Sequence, residues 1–112
     1  MDIIYHVAKI NIRLYYNFFD KDELYLNDFY NENPKKKGQA RTILYNIVNW
    51  LLYNKKININ DKFSLHSKSP KDMNQLKLNE MYEKLGFKKV KGTSKNKPKY
   101  SMSIKDYLTH NK

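Results

Sequence analysis

Asn79-Glu80-Met81-Tyr82-Glu83-Lys84-Leu85-Gly86-Phe87 is the stretch on which the fold turns. It reads as the end of an amphipathic helix, stopped by glycine and followed at once by a strand. Leu78, Met81, Tyr82 and Leu85 share one helical face,. Gly86 stands where a left-handed C-terminal cap is expected, a conformation that glycine takes without a Cβ penalty,.

Upstream lies a second stretch, Tyr30-Asn31-Glu32-Asn33-Pro34-Lys35-Lys36-Lys37-Gly38-Gln39-Ala40, followed by Arg41-Thr42-Ile43-Leu44. It joins a strand to a helix start. The N-terminus of a helix has unpaired N–H groups and the positive end of a dipole, so it attracts phosphate. Gly38 lets the backbone come close to an anion, and small Ala40 keeps the first turn clear of side-chain bulk,. Lys35, Lys36, Lys37 and Arg41 surround this point with mobile positive charge. Taken singly, a Lys-Lys-Lys-Gly run is more often a solvated loop, and Tyr82 on an apolar face more often a core tyrosine. The order of the two stretches, separated by a helix and a strand, is what gives them meaning.

Together they resemble the two signature motifs of the GCN5-related N-acetyltransferases, which transfer acetyl from acetyl-CoA to an amine. The family's phosphate loop runs Gln or Arg, two variable residues, Gly, one variable residue, then Gly or Ala. Lys35, Gly38 and Ala40 occupy the first, fourth and sixth places. Lys35 is a departure, because lysine offers a point charge where a planar, forked side chain is usual. The resemblance implies an α+β, acyl-CoA N-acyltransferase-like fold: a mixed, mostly antiparallel sheet flanked by two main helices. It implies acetyl-CoA as cofactor, with the pantetheine arm at Phe29 and Tyr30 and the phosphates at Lys35, Lys36, Lys37, Gly38, Gln39, Ala40 and Arg41. It also implies Tyr82 as the acid that protonates the departing thiolate.

The other partner of the reaction is an amine acceptor: a protein lysine, an N-terminus or a small amine. Direct attack needs the amine in its neutral form, so a base or a water chain must remove a proton from the ammonium. Glu23 is the base candidate taken into the site; Asp28, His66 and a water-mediated route stand beside it.

Composition bounds these readings. At 112 residues the chain is read as a single domain, 1–112, with room for a genuine core,. There is no cysteine, so a disulfide, a thiolate metal site and a cysteine nucleophile are all excluded,. His6, His66 and His110 have no ligand-like spacing, and no metal is expected. No apolar run reaches bilayer length and the N-terminus lacks the layout of a signal peptide. The expectation is a soluble cytoplasmic protein without membrane contact, or one in a host's cytoplasm or nucleus if the source is viral. Net charge is +11, from 22 Lys+Arg against 11 Asp+Glu. Lysine, asparagine, isoleucine and tyrosine abound, as an A+T-rich coding sequence would give, so part of the charge reflects codon bias.

Ile3 to Phe19 alternates partially and reads as one strand region; Glu23 to Tyr30 reads as a second strand, antiparallel to it,. Ala40, Ile43, Leu44, Ile47, Val48, Leu51 and Leu52 mark a helix from about Gly38 to about Asn54,. Lys62 to Ser67 is a strand, and the second helix is expected to start in Ser69-Pro70-Lys71-Asp72,. Phe87 to Lys91 and Tyr100 to Ile104 close the sheet, with a frayed tail from Asp106 to Lys112,. The strand before the phosphate loop and the strand Lys62 to Ser67 should lie side by side and splay at their C-terminal ends. The early strand and two helices of the acetyltransferase fold have no counterpart here. That predicts an apolar surface left uncovered beside the acceptor cleft, and hence a homodimer or a partner chain.

Two other classes compete. One is a small basic nucleic-acid-binding module, in which Tyr15, Tyr16, Phe18, Phe19, Tyr25 and Tyr30 stack bases among lysines,. The other is an acetyltransferase-like fold that binds CoA or a protein partner without turnover.

Overall fold

The computed structural model describes residues 1–17, 22–33, 35–36, 38–68, 74–94 and 96–112. The chain begins with a hairpin, β1 (Asp2–Val7) and β2 (Ile10–Asn17), where a single strand region was expected. The two strands are joined by Ala8 and Lys9, both left-handed, with φ of 51° and 64°. A two-residue turn with positive φ at both positions matches the twist of its strands, but Gly or Asn normally carries it. Alanine and lysine gave no turn signal, which is why the break is invisible in the sequence.

β3 (Glu23–Asn31) pairs antiparallel with β2, and α1 (Gln39–Tyr53) crosses over to β4 (Lys62–His66), which lies parallel to β3. Then follow α2 (Gln75–Lys84), β5 (Lys88–Lys89), β6 (Lys99–Ser103) and α3 (Ile104–His110). Among the described residues the sheet has six strands in the order β1-β2-β3-β4-β6-β5, and β3–β4 is the one parallel pair. The start expected for α2 falls at 69–72, outside the described residues; the described helix opens at Asn74, whose side chain accepts from the Leu76 N–H.

The tail is the other correction. Residues expected to fray form α3, capped by Ser103, with Ile104 and Tyr107 buried. His110 and Asn111 fasten its end to α2: the imidazole pairs with the Lys84 carbonyl and the Asn111 amide donates to Leu85, each at 2.8 Å. Tertiary ties rather than helical propensity hold so short a helix.

The three helices of the described residues lie on one side of the sheet. Ile10, Ile12, Leu14, Leu24, Leu26, Phe29, Phe63, Leu65 and Tyr100 point to that side and are buried. Leu44, Val48 and Leu51 of α1, Leu78 and Tyr82 of α2, and Tyr107 of α3 meet them. Among the described residues no helix covers the opposite face. That face mixes polar residues, Asn11, Arg13, Asp28, Lys62, Ser64, Lys99 and Ser101, with Ile4, Tyr15, Tyr25 and Tyr30. Ile4, Tyr15 and Tyr30 are exposed on that face. A sheet with one packed and one hydrated face is stable on its own terms.

Candidate functional site

The site is built where β3 and β4 stop being neighbours. Their register runs from Glu23 opposite Lys62 to Leu26 opposite Leu65 and then ends. β4 itself stops one residue later, at His66, and β3 carries a bulge at the same level. Leu26 pairs with Leu14 and Asp28 with Arg13, so Asn27 is an extra residue without a partner in β2. A bulge of this kind bends its strand and sharpens the twist. β3 stays paired with β2 to Asn31, and among the described residues no strand pairs with the β4-facing edge of 27–31. Beyond the last β3–β4 pair Phe29 is buried and Tyr30 is 42% exposed.

Beyond β3 the loop is shaped by two asparagines. Asn31 accepts from the Asn33 N–H at 2.8 Å and donates to the Lys36 carbonyl at 2.7 Å. Asn33 accepts from the Lys35 N–H at 3.0 Å and donates to Ala8. Side-chain bonds of this type stand in for a backbone turn. Neither residue was singled out from the sequence, although Asn-x-Asn before Pro was the available signal. Lys37 lies outside the described residues.

Gly38 then enters α1 with φ +79°, and a Cβ there would meet no atom within 4 Å. Its backbone conformation, not shortage of space, is what calls for glycine. No side chain caps α1, and its first turn carries no acidic residue. Ala40 is buried at that turn, whereas Lys35, Gln39 and Arg41 are exposed and Lys36 is half-buried. A cleft of about 640 Å³ opens here, lined by Gly38, Arg41 and Thr42 of the α1 start and by Lys84, His110 and Lys112. The last three were not expected at the site; only the docking of α3 on α2 brings them there.

Tyr82 approaches the end of the β3–β4 ladder from the helix side. Its ring packs against Phe29, Phe87 and Tyr100, with centroids 6.3–6.5 Å apart. Burial pushes its phenol up to about 12, with the Asp28 carboxylate and Tyr25 adding to the effect. It therefore stays protonated at neutral pH. Its hydroxyl makes no hydrogen bond among the described residues. α2 is held in place by its ends. At the start, Ser67 donates to Asn79 at 2.7 Å and Gln75 donates to the Ser67 carbonyl at 2.8 Å. At its end, the Gly86 N–H donates to Glu83 and the Phe87 N–H to Tyr82, the paired bonds of a Schellman cap,. Gly86 has φ +99°, and a Cβ there would stand 3.0 Å from both His110 and Met102.

Glu23 lies at the far end of β3 from Phe29. It opens β3, roughly 20 Å along the strand from Phe29 at about 3.3 Å per residue,. There it accepts from Ser64 at 2.9 Å and pairs with Lys99 at 3.6 Å. Asp28 and Tyr25, not Glu23, are the polar groups felt by Tyr82. Of the aromatics expected to stack bases, Tyr16 is buried against Asp61 and Tyr25 is hydrogen-bonded to His66. Tyr15 and Tyr30 remain exposed, and Phe18 and Phe19 lie outside the described residues. Among the described residues no cluster of three potential metal ligands occurs, and no helix is long and apolar enough to cross a membrane.

No family model and no curated protein sequence matches the chain. Its structure is similar to a solved chimera of the spermidine N-acetyltransferase SpeG from Vibrio cholerae and hSSAT. The TM-score is 0.63 at 15% sequence identity, over 96% of this chain and 68% of the other. The fold is thus that of the GCN5-related N-acetyltransferases.

Proposed function

We propose that this chain binds acetyl-CoA and transfers its acetyl group to a primary amine by direct attack. The observation that carries the reading is the unpaired β3 edge beyond Leu26, which lies between an uncapped, basic helix start and an unbonded phenol. An extended amide-bearing arm can use the backbone groups at Phe29 and Tyr30, as a strand would. The pyrophosphate would take the α1 N-terminus at Gly38, Gln39 and Ala40, with Lys35, Lys36 and Arg41 around it. Preorganised N–H groups near the thioester carbonyl stabilise the oxyanion of the tetrahedral intermediate. Tyr82, kept protonated by its surroundings, gives the proton that the thiolate needs on leaving,.

The first acceptors to test are polyamines, since the structural neighbour is a spermidine acetyltransferase by name. Small amines and lysine-rich peptides follow. Calorimetry with acetyl-CoA comes before any turnover assay. Gly38→Val should abolish binding, because a β-branched residue at φ +79° distorts the helix entry,. Lys36→Ala should weaken binding modestly, with a smaller loss at high salt. If Gly38→Val binds acetyl-CoA as wild type does, the phosphate site is elsewhere.

A further inference from the structure

Tyr25 and His66, the second already among the base candidates, form a hydrogen-bonded pair where the β3–β4 ladder ends. Tyr25 stands one position before the last β3–β4 pair and His66 one position after it. The Tyr25 hydroxyl meets His66 Nδ1 across the two strands, with the rings 5.6 Å apart and tilted by 49°. Both side chains are half-buried, so water and a small solute can reach them. They lie on the uncovered face, while the Tyr82 ring lies on the helix face. Tyr25 nevertheless stands close enough to influence the Tyr82 phenol.

Resting on the acetyltransferase reading above, we infer that Tyr25 and His66 take the proton from the incoming ammonium. The Tyr25 oxygen accepts from the ammonium N–H while the Tyr25 proton passes to His66 Nδ1. The amine becomes neutral and the imidazole becomes imidazolium, which releases the proton to solvent. The amine nitrogen then bonds the acetyl carbon, and the carbon–sulfur bond breaks as the intermediate collapses. Tyr82 protonates the thiolate, and the second proton lost from nitrogen restores Tyr82 through water. One proton leaves in total, as conversion of an ammonium and a thioester to an amide and a thiol requires.

The arrangement divides the work by face. The nucleophile arrives from the open side, where Tyr25 and His66 stand, and the leaving group departs toward the helices. Glu23 lies two residues before Tyr25, already engaged by Ser64 and Lys99. The charged groups around His66 are Lys99 on β6, Lys97 in the preceding loop and Glu23 on β3. Burial and the two lysines hold the imidazole below its usual value, and Glu23 partly opposes them. At neutral pH the ring is therefore unprotonated and Nδ1 is available as an acceptor.

The test is the pH profile of kcat/KM for an amine that wild type acetylates. Wild type should lose activity as pH falls through the His66 pKa. His66→Gln should lower kcat/KM by roughly 10²-fold near pH 7.5 and remove that acidic limb. Tyr25→Phe keeps the ring but severs the relay, and should do the same; it carries the test if His66→Gln melts early by circular dichroism. Glu23→Gln should keep the limb but move it to lower pH, because the carboxylate that raises the imidazole is gone. A folded His66→Gln or Tyr25→Phe with the wild-type profile overturns the assignment, as does loss of the limb in Glu23→Gln alone. Wild type that acetylates no amine overturns the acetyltransferase reading itself, and this one with it.

Discussion

Tyr16 of β2 donates its buried hydroxyl to the Asp61 carboxylate, 2.7 Å away and 45 residues along the chain. Asp61 stands just before β4 and also accepts the Asn58 N–H at 2.7 Å, while its carbonyl accepts the Ile104 N–H at the start of α3. Asp61 thus ties the β2 end and the loop after α1 through its carboxylate, and the α3 start through its backbone carbonyl. Burial and the neighbouring carboxylate raise the Tyr16 phenol well above its ordinary value.

Tyr16→Phe removes the donor and leaves Asp61 less well satisfied in a buried place. Hydrogen bonds to charged groups are worth about 1.5–3 kcal/mol, so a loss of about 2 kcal/mol is expected. A lower midpoint of urea unfolding at unchanged slope would register it. No change in midpoint would show the bond to be exchangeable with water.

Alkaline pH should destabilise the fold as a whole. Tyr16, Tyr25, Tyr82, Tyr100 and Tyr107 all have phenols raised by burial. A raised folded-state value means that the folded chain holds its proton more tightly. The stabilisation is complete below the unfolded value of 10.0 and is lost as pH climbs through the folded one,. Tyr82, at about 12, accounts for about 3 kcal/mol of that loss,. Melting temperatures should fall steeply between pH 10 and 12, and a flat profile there would contradict the burial of these groups.

Tyr82→Phe separates chemistry from packing. Its hydroxyl makes no hydrogen bond among the described residues, so the melting temperature should hold and acetyl-CoA affinity should change little. Turnover should drop by roughly 10²-fold, the usual scale for losing a general acid. Unchanged turnover in a folded variant would leave Tyr82 as a core residue only.

Tyr107→Phe should raise stability. The Tyr107 hydroxyl is buried without a hydrogen-bond partner among the described residues. Deleting an unsatisfied buried donor is expected to gain about 1 kcal/mol, with the ring contacts to Phe63 and Phe87 kept,. Chemical unfolding of the variant beside wild type decides it.

How much could be read in advance follows from where each feature is encoded. α1 declares itself because its apolar period is local, and Gly38 and Gly86 because positive φ leaves a residue-type signature. The β1–β2 turn hides behind Ala8 and Lys9, which adopt left-handed backbone without advertising it. α3 hides because its seven residues are held by Lys84 and Leu85 carbonyls far upstream. Tyr82 could be named from its motif. The Tyr25–His66 pair could not, since it exists only once β3 and β4 are set side by side in one register, 41 residues apart.

The sheet keeps its helices on one side, and this separates what the molecule must preserve from what it can vary. Arg13, Asp28 and Lys62 are exposed on the unhelical face, so exchanging them leaves the packing beneath untouched. An incoming molecule would meet that face, whereas the helices and the phosphate-type loop hang from the other layer and the sheet's edge. Descendants of such a chain can therefore rewrite what they recognise, or acquire a covering segment, without renegotiating their interior.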